Sequence, residues 1–310
     1  MASNQIYSLN SQTFLPRVSV VIPVYNGEVD LLDLVSCLLA QNYPADRVEY
    51  LLIDNASRDR TAAILQAAAQ DAKSQGLTIY YLTENQIQSF YAARNAGIRA
   101  STGEIIAFTD ADCRPQPNWL YALIQPFADP AVGLVGGAVV ALPGKTLLEK
   151  YAERKNILSH KFGLSHPFCP YAATANLAIR RQALEQVGLF RPYLTTGGDV
   201  DICWRIQRQS SWQFYCAEQA IVQHRHRATL QELLNQRRRY GCSHQYVQEL
   251  YGVGVSENIF KLKQYLYYFS RWLLKELPLT GVKAIAGKAT LLDLLMTPIF
   301  PGQRKAKLSE

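Results

Sequence analysis

The chain has 310 residues, 48% of them hydrophobic, with a formal net charge of +7. That length and apolar content support one large domain, or a domain with an appendage, and a charged fraction of only 18% excludes wholesale disorder. A mild basic excess fits a phosphate-bearing substrate, nucleic acid or an anionic membrane surface without choosing among them.

The opening "MASNQIYSLNSQTF" lacks a basic stretch followed by an apolar one, so it does not read as a secretory signal. "RVSVVIPVYN" is a short β-branched run without alternation, the pattern of a strand buried on both faces. "EVDLLDLVSCLLAQN" has helical spacing, and "VEYLLIDNAS" is a second buried strand. "SRDRTAAILQAAAQDAKSQG" is an Ala-rich helix with Ser57 as N-cap and Gly76 as its stop. "LTIYYLTEN" is a third strand, "SFYAARNAGIRAS" a helix and "GEIIAFTDAD" a fourth strand. Strands alternating with helices from Val18 to Asp112 predict an α/β domain with a mostly parallel sheet. Ligands of such sheets bind beyond the carboxyl ends of the strands, where Tyr25, Asp54, Glu84 and Asp110 fall. "VGLVGGAVV" is a further strand, "ATANLAIRRQALEQVG" a strand running into a helix, and the chain after Leu230 reads as largely helical.

Six cysteines, Cys37, Cys113, Cys169, Cys203, Cys216 and Cys242, form no CxxC and no zinc-finger spacing. Buried free thiols in a reducing compartment are the expectation. No apolar run approaches the ~18 residues of a membrane span. The expected setting is the cytoplasm, free or against the inner face of the membrane.

Two acidic pairs carry the chemistry. Asp110 and Asp112 close the fourth strand, where i and i+2 point to one side, so both carboxylates can approach one hard divalent cation. A D-x-D alone is equally compatible with turn- and cap-forming aspartates. Asp199 and Asp201, in "GGDVDICWR", lead into a helix, where i and i+2 diverge by roughly 200°. One of them would face a pocket while the other caps or pairs. In "AIVQHRHRAT", His224 and His226 are candidate metal ligands or ordinary surface histidines. "QRRRY" (236–240) is a basic helical face or a phosphate contact.

Taken in order, "VSVVIPVYN", "LLIDNASRDRT", "AARNAGIRASTGEIIAFTDAD", "ATANLAIRR" and "GGDVDICWR" resemble the family 2 glycosyltransferases of GT-A fold over roughly Val18 to Tyr240. The resemblance implies a Rossmann-like, mostly parallel sheet flanked by helices, with a helical C-terminal extension. It implies a tail (1–16), a catalytic domain (17–228), the extension (229–300) and a mobile tail (301–310). Pro23, Tyr25, Asp54 and Arg94 would bind the nucleotide of a UDP, dTDP or GDP sugar. Asp110 and Asp112 look like the family's DxD, holding Mn²⁺ or Mg²⁺ on the donor diphosphate, with His224 completing the shell and His226 as runner-up. Thr174 and Asn176 would contact the acceptor, a carbohydrate or lipid-linked hydroxyl. Asp199 matches the general base; the family often has Glu-Asp where this chain has Gly198-Asp199, which leaves Asp201 as an alternative base. "QRRRY" resembles the Q-x-x-R-W motif of processive members, so Gln236 and Arg239 would reach the diphosphate or the acceptor.

The implied activity is metal-dependent, inverting transfer of a sugar to a hydroxyl in polysaccharide or glycolipid assembly. A non-catalytic nucleotide-sugar binder and a processive synthase subunit are the alternatives. A dinucleotide oxidoreductase would need G-x-G-x-x-G after the first strand, where the chain has "PVYNGE". No nucleic-acid recognition motif is present, and nucleic acid is not an expected partner. The basic and aromatic "KLKQYLYYFSRWLLKEL", with Lys261, Lys263, Arg271 and Lys275, fits an anionic membrane surface or a helix packed on the domain.

Overall fold

A computed structural model describes residues 14–154, 161–253, 270, 273–274 and 277–285. The membrane-surface reading of Lys261, Lys263, Arg271 and Lys275 and the mobile tail 301–310 lie outside these residues. No helix among the described residues is long and apolar enough to cross a membrane.

The non-alternating runs form central strands. β1 (Val18–Val24) and β2 (Val48–Asp54) are buried at every position. Their side chains divide between two cores. Val20, Ile22 and Leu52 pack on one sheet face, while Val21, Leu51 and Ile53 pack on the other. β3 (Thr78–Thr83) and β4 (Ile105–Phe108) complete a parallel group ordered β3-β2-β1-β4. Helices α1 (Leu31–Leu39), α2 (Thr61–Ser74) and α3 (Phe90–Ala100) make the crossovers. The order reverses direction between β1 and β4, the position where such sheets open a crevice.

The sheet continues with β7 (Leu177–Arg180), β6 (Val132–Ala141), β8 (Gln213–His224) and β5 (Cys113–Pro115), giving eight strands. β4 with β7, β6 with β7 and β5 with β8 pair antiparallel, so the sheet is mixed rather than parallel throughout. The remaining helices are α4 (Trp119–Ile124), α5 (Leu147–Arg154), α6 (Lys161–Leu164), α7 (Arg181–Val187), α8 (Gly198–Gln209), α9 (Leu230–Leu250) and α10 (Leu277–Ile285).

Two local expectations change. Ser57 does not cap α2, which starts at Thr61; its Oγ instead accepts from Asn26 N at 2.9 Å and ties the β1 and β2 loops together. Gly76 does end that region, with a left-handed φ of 74° just past the helix. The strand carrying "IIAF" stops at Phe108, so Asp110 and Asp112 lie in a turn and not on a pleated edge. Cys37, Cys113, Cys169, Cys203 and Cys216 are free thiols.

Candidate active site

The turn after β4 does what strand alternation was expected to do. Cys113 N donates to Asp110 O at 3.1 Å, folding Asp110 and Asp112 onto one side. The chain then enters β5, whose Cys113 stands opposite His224 of β8. Arg225 N donates to Asp112 O at 3.1 Å and locks that register. A residue over a hundred positions downstream is thereby set beside the acidic turn.

Ligand atoms of Asp110, Asp112, Cys113 and His224 all lie within 4.8 Å of one another. His224 Nδ1 lies 2.8 Å from Arg225 O, which assigns the ring proton to Nδ1 and leaves Nε2 facing Asp112 Oδ1 at 3.4 Å. Burial pushes the Asp112 carboxyl up, but His224, Arg227 and Arg225 outweigh it and hold it below its ordinary range. Two ionised oxygen donors and an imidazole lone pair suit a divalent cation such as Mn²⁺. The donor set therefore fits the implied metal through Asp110, Asp112 and His224. His226 is two residues on, buried, with Nε2 unpartnered, and is outside this group.

These residues open onto a cavity of about 730 Å³ at the β1/β4 crevice. Pro23, Tyr25, Arg94, Thr174, Asp199, Arg239 and Tyr240 all line it. Arg94 is 4% exposed and donates from Nη2 to Asp110 Oδ1 at 2.5 Å. Asp199 stands in the first turn of α8, where its Oδ1 accepts from Val200 N at 3.0 Å. Burial lifts the Asp199 carboxyl above its usual value, and Arg94 offsets part of that rise. A carboxylate made more basic, facing a cavity, is suited to take a proton.

Four expected residues stand elsewhere. Asp201 is 0% exposed and accepts from Arg191 Nε at 3.2 Å, Arg205 Nε at 3.1 Å and Tyr251 Oη at 2.8 Å. Its place in α8, two residues from Asp199, turns it into this cage rather than the cavity. Asn176 is likewise fully buried. Its Nδ2 donates to Ala138 O and Ala220 O, both at 2.8 Å, and its Oδ1 accepts from Trp119 Nε1 at 2.8 Å. Both amide N–H groups are used and the side chain is shut off from the cavity, so Asn176 ties β6, β8 and α4 together. Asp54 ends β2 outside the cavity wall, with Oδ1 taken by Ser57 N at 3.0 Å. Gln236, within α9, is buried with Nε2 3.4 Å from Tyr240 Oη, so in "QRRRY" it is Arg239 and Tyr240 that reach the cavity. α9 is set by a capping box, in which Thr229 Oγ1 accepts from Glu232 N and Glu232 Oε2 from Thr229 N.

Cavity residues beyond those expected from sequence include Asp30, Tyr91, Arg225 and Arg227. Arg225 is held by Asp30, with Nη2 to Oδ2 at 2.6 Å, and Arg227 Nη1 lies 3.3 Å from Asp112 Oδ2.

Mixed sheet, crevice, acidic turn and facing carboxylate together define a GT-A architecture. Over residues 19–188 the sequence matches the profile "Glycosyl transferase family 2", and over 105–300 that of "Glycosyl transferase family group 2". The chain belongs to glycosyl transferase family 2. It is 38% identical over 190 residues to Glycosyltransferase AglE of Haloferax volcanii, covering 60% of each chain. It is 29% identical over 231 residues to the Pre-mycofactocin glycosyltransferase of Mycobacterium tuberculosis, covering 73% of this chain and 46% of that one. The matches thus span only 60% and 46% of these relatives' lengths. Among solved structures, Mannosyltransferase PcManGT from Pyrobaculum calidifontis, in complex with GDP-Man and Mn²⁺, shares the fold with a TM-score of 0.62. That similarity runs at 23% identity over 94% of this chain and 82% of the other.

Proposed function

We propose that the chain is a metal-dependent, inverting glycosyltransferase that moves a sugar from a nucleoside diphosphate to a hydroxyl acceptor. The carrying observation is that the metal donors Asp110, Asp112 and His224 and the basic carboxylate of Asp199 line one cavity. Family membership and the transferase names of the relatives support this reading. The GDP-Man and Mn²⁺ of the structural neighbour suit the same donor chemistry.

Asp110, Asp112 and His224 would hold the cation, which when bound would supply positive charge against the leaving diphosphate. Arg94 fixes Asp110, and Arg227 lies beside Asp112 to meet further phosphate charge. Pro23 and Tyr25 line the end of the crevice beyond β1, which suits a nucleobase. Thr174 takes over the acceptor contact assigned to Asn176. Asp199 accepts the hydroxyl proton as the acceptor oxygen bonds to the anomeric carbon and the carbon–diphosphate bond breaks. Among the described cavity carboxylates, Asp30 and Asp110 are held by arginines and Asp112 belongs to the metal-donor group, which leaves Asp199 as the base and suits single displacement with inversion.

Purified protein is to be incubated with UDP-, dTDP- and GDP-sugars, with and without Mn²⁺, and the released nucleoside diphosphate measured. Mn²⁺-dependent release that Asp112→Asn abolishes is expected. Absence of release from every donor with metal present would sink the reading.

A further inference from the structure

The residue before Asp199 is a glycine, and the space of the missing side chain is filled from another element. Gly198 N donates to Tyr91 Oη at 2.8 Å. A Cβ on Gly198 would meet the Tyr91 ring carbons at 2.6 to 2.8 Å, closer than real contacts allow. Gly197 before it has φ 77°, left-handed backbone that glycine adopts without strain. The start of α8 is therefore built around the tyrosine ring.

The ring has little freedom of its own. It stacks on Phe190 at 5.6 Å, and Phe190 packs edge-on against Phe108 at the end of β4. Asn95 pins the Phe190 backbone from both sides, with Nδ2 to Phe190 O at 2.8 Å and Oδ1 accepting from Phe190 N at 3.0 Å. Tyr91 and Asn95 are i and i+4 on α3, with Arg94 between them. One face of α3 thus reaches the acidic turn through Arg94 and the first turn of α8 through Tyr91.

We propose that Tyr91 is a positioning residue for Asp199, its hydroxyl and ring together fixing the first turn of α8 so that the carboxylate faces the cavity. This rests on the reading of Asp199 as the base. The first-turn N–H groups of a helix have no partner within it, and an acceptor aimed at one of them sets the angle at which the turn enters. Here that acceptor is a phenol on a braced ring, so the turn is fixed from outside its own helix.

Tyr91→Phe keeps the ring and removes only the acceptor of Gly198 N. With Mn²⁺ and GDP-mannose or UDP-GlcNAc, we expect kcat to fall about tenfold while donor KM stays within about twofold. Gly198→Ala should also lower kcat, because its Cβ would meet the Tyr91 ring. By hydrogen exchange, amides 197–201 should lose protection in Tyr91→Phe while those of β1 and β2 keep theirs. Wild-type kcat together with unchanged exchange at 197–201 in Tyr91→Phe overturns the inference. If Asp199→Asn abolishes transfer while Tyr91→Phe keeps wild-type kcat and wild-type exchange at 197–201, the inference alone fails; if Asp199→Asn still transfers, the base assignment fails and takes the inference with it. Should neither donor turn over, the exchange result decides whether Tyr91 holds the turn.

Discussion

Arg94 reaches Asp110 with 2.5 Å between Nη2 and Oδ1, and the guanidinium lies over the ring of Tyr91 at 5.5 Å. A buried cation thus contacts both the acidic turn and Tyr91, whose hydroxyl meets the start of α8. Its charge opposes a second cation on Asp110, while its geometry holds that carboxylate in place. Arg94→Gln should therefore bind Mn²⁺ alone at least as tightly as wild type by calorimetry. Its turnover should fall by tenfold or more, on the order expected when a buried charged hydrogen bond is lost. Weaker Mn²⁺ binding in the variant would show that Arg94 organises Asp110 more than it repels the ion.

The two acids of α8 should separate cleanly. Asp201→Asn removes the charge shared by Arg191 and Arg205 and should cost about 3 kcal/mol of stability, read from denaturant midpoints. Transfer per folded molecule should survive. Asp199→Asn should abolish transfer and raise the melting temperature at neutral pH. The folded Asp199 carboxyl titrates above its ordinary 3.8 because of burial, so its ionised form costs stability once the pH exceeds that raised value. For the same reason, the acid limb of wild-type transfer should fall at a pH above 3.8.

Asn176→Leu tests structure against acceptor binding. The substitution strands two carbonyls and the Trp119 indole N–H in the core, a loss of about 3 kcal/mol. The midpoint of urea unfolding should drop accordingly, with acceptor KM unchanged in the folded fraction. A raised KM at full stability would return Asn176 to the acceptor site.

Glu49 gives the fold a pH dependence of its own. It is buried on β2, yet hydrogen bonds from Ser19 Oγ at 2.6 Å and from Thr102 N at 2.6 Å outweigh that burial and hold its carboxyl below the ordinary 4.5. A depressed carboxyl stabilises above the unfolded value and loses that contribution as pH falls through the folded one. Between about pH 6 and about pH 3, wild type should therefore lose more stability than Glu49→Gln. Parallel losses in the two proteins would remove Glu49 as a cause.

How much of this was legible in sequence follows from the range of the interactions. β1 and β2 announce themselves because burial on both faces demands unbroken apolar runs. The convergence of Asp110 and Asp112 was also readable, although a turn and not a pleat produces it. The second half of the sheet was not, since β8 pairs parallel with β6 and antiparallel with β5, and both pairings join segments far apart in sequence. Asn176 was expected at the acceptor because "ATANLAIRR" resembles the family's acceptor-site segment. Its true partners lie 38 to 57 residues away in sequence. Tyr91 was invisible for a related reason: its importance depends on a side chain that Gly198 does not have.

That absence has a consequence across the family. With this backbone, a bulky side chain at position 198 and an aromatic ring at position 91 exclude each other. The two positions should behave as one inherited unit, drifting together among relatives: aromatic with glycine, or small with large. A Glu-Asp pair grafted onto this scaffold would then fail for want of room until the tyrosine is also replaced.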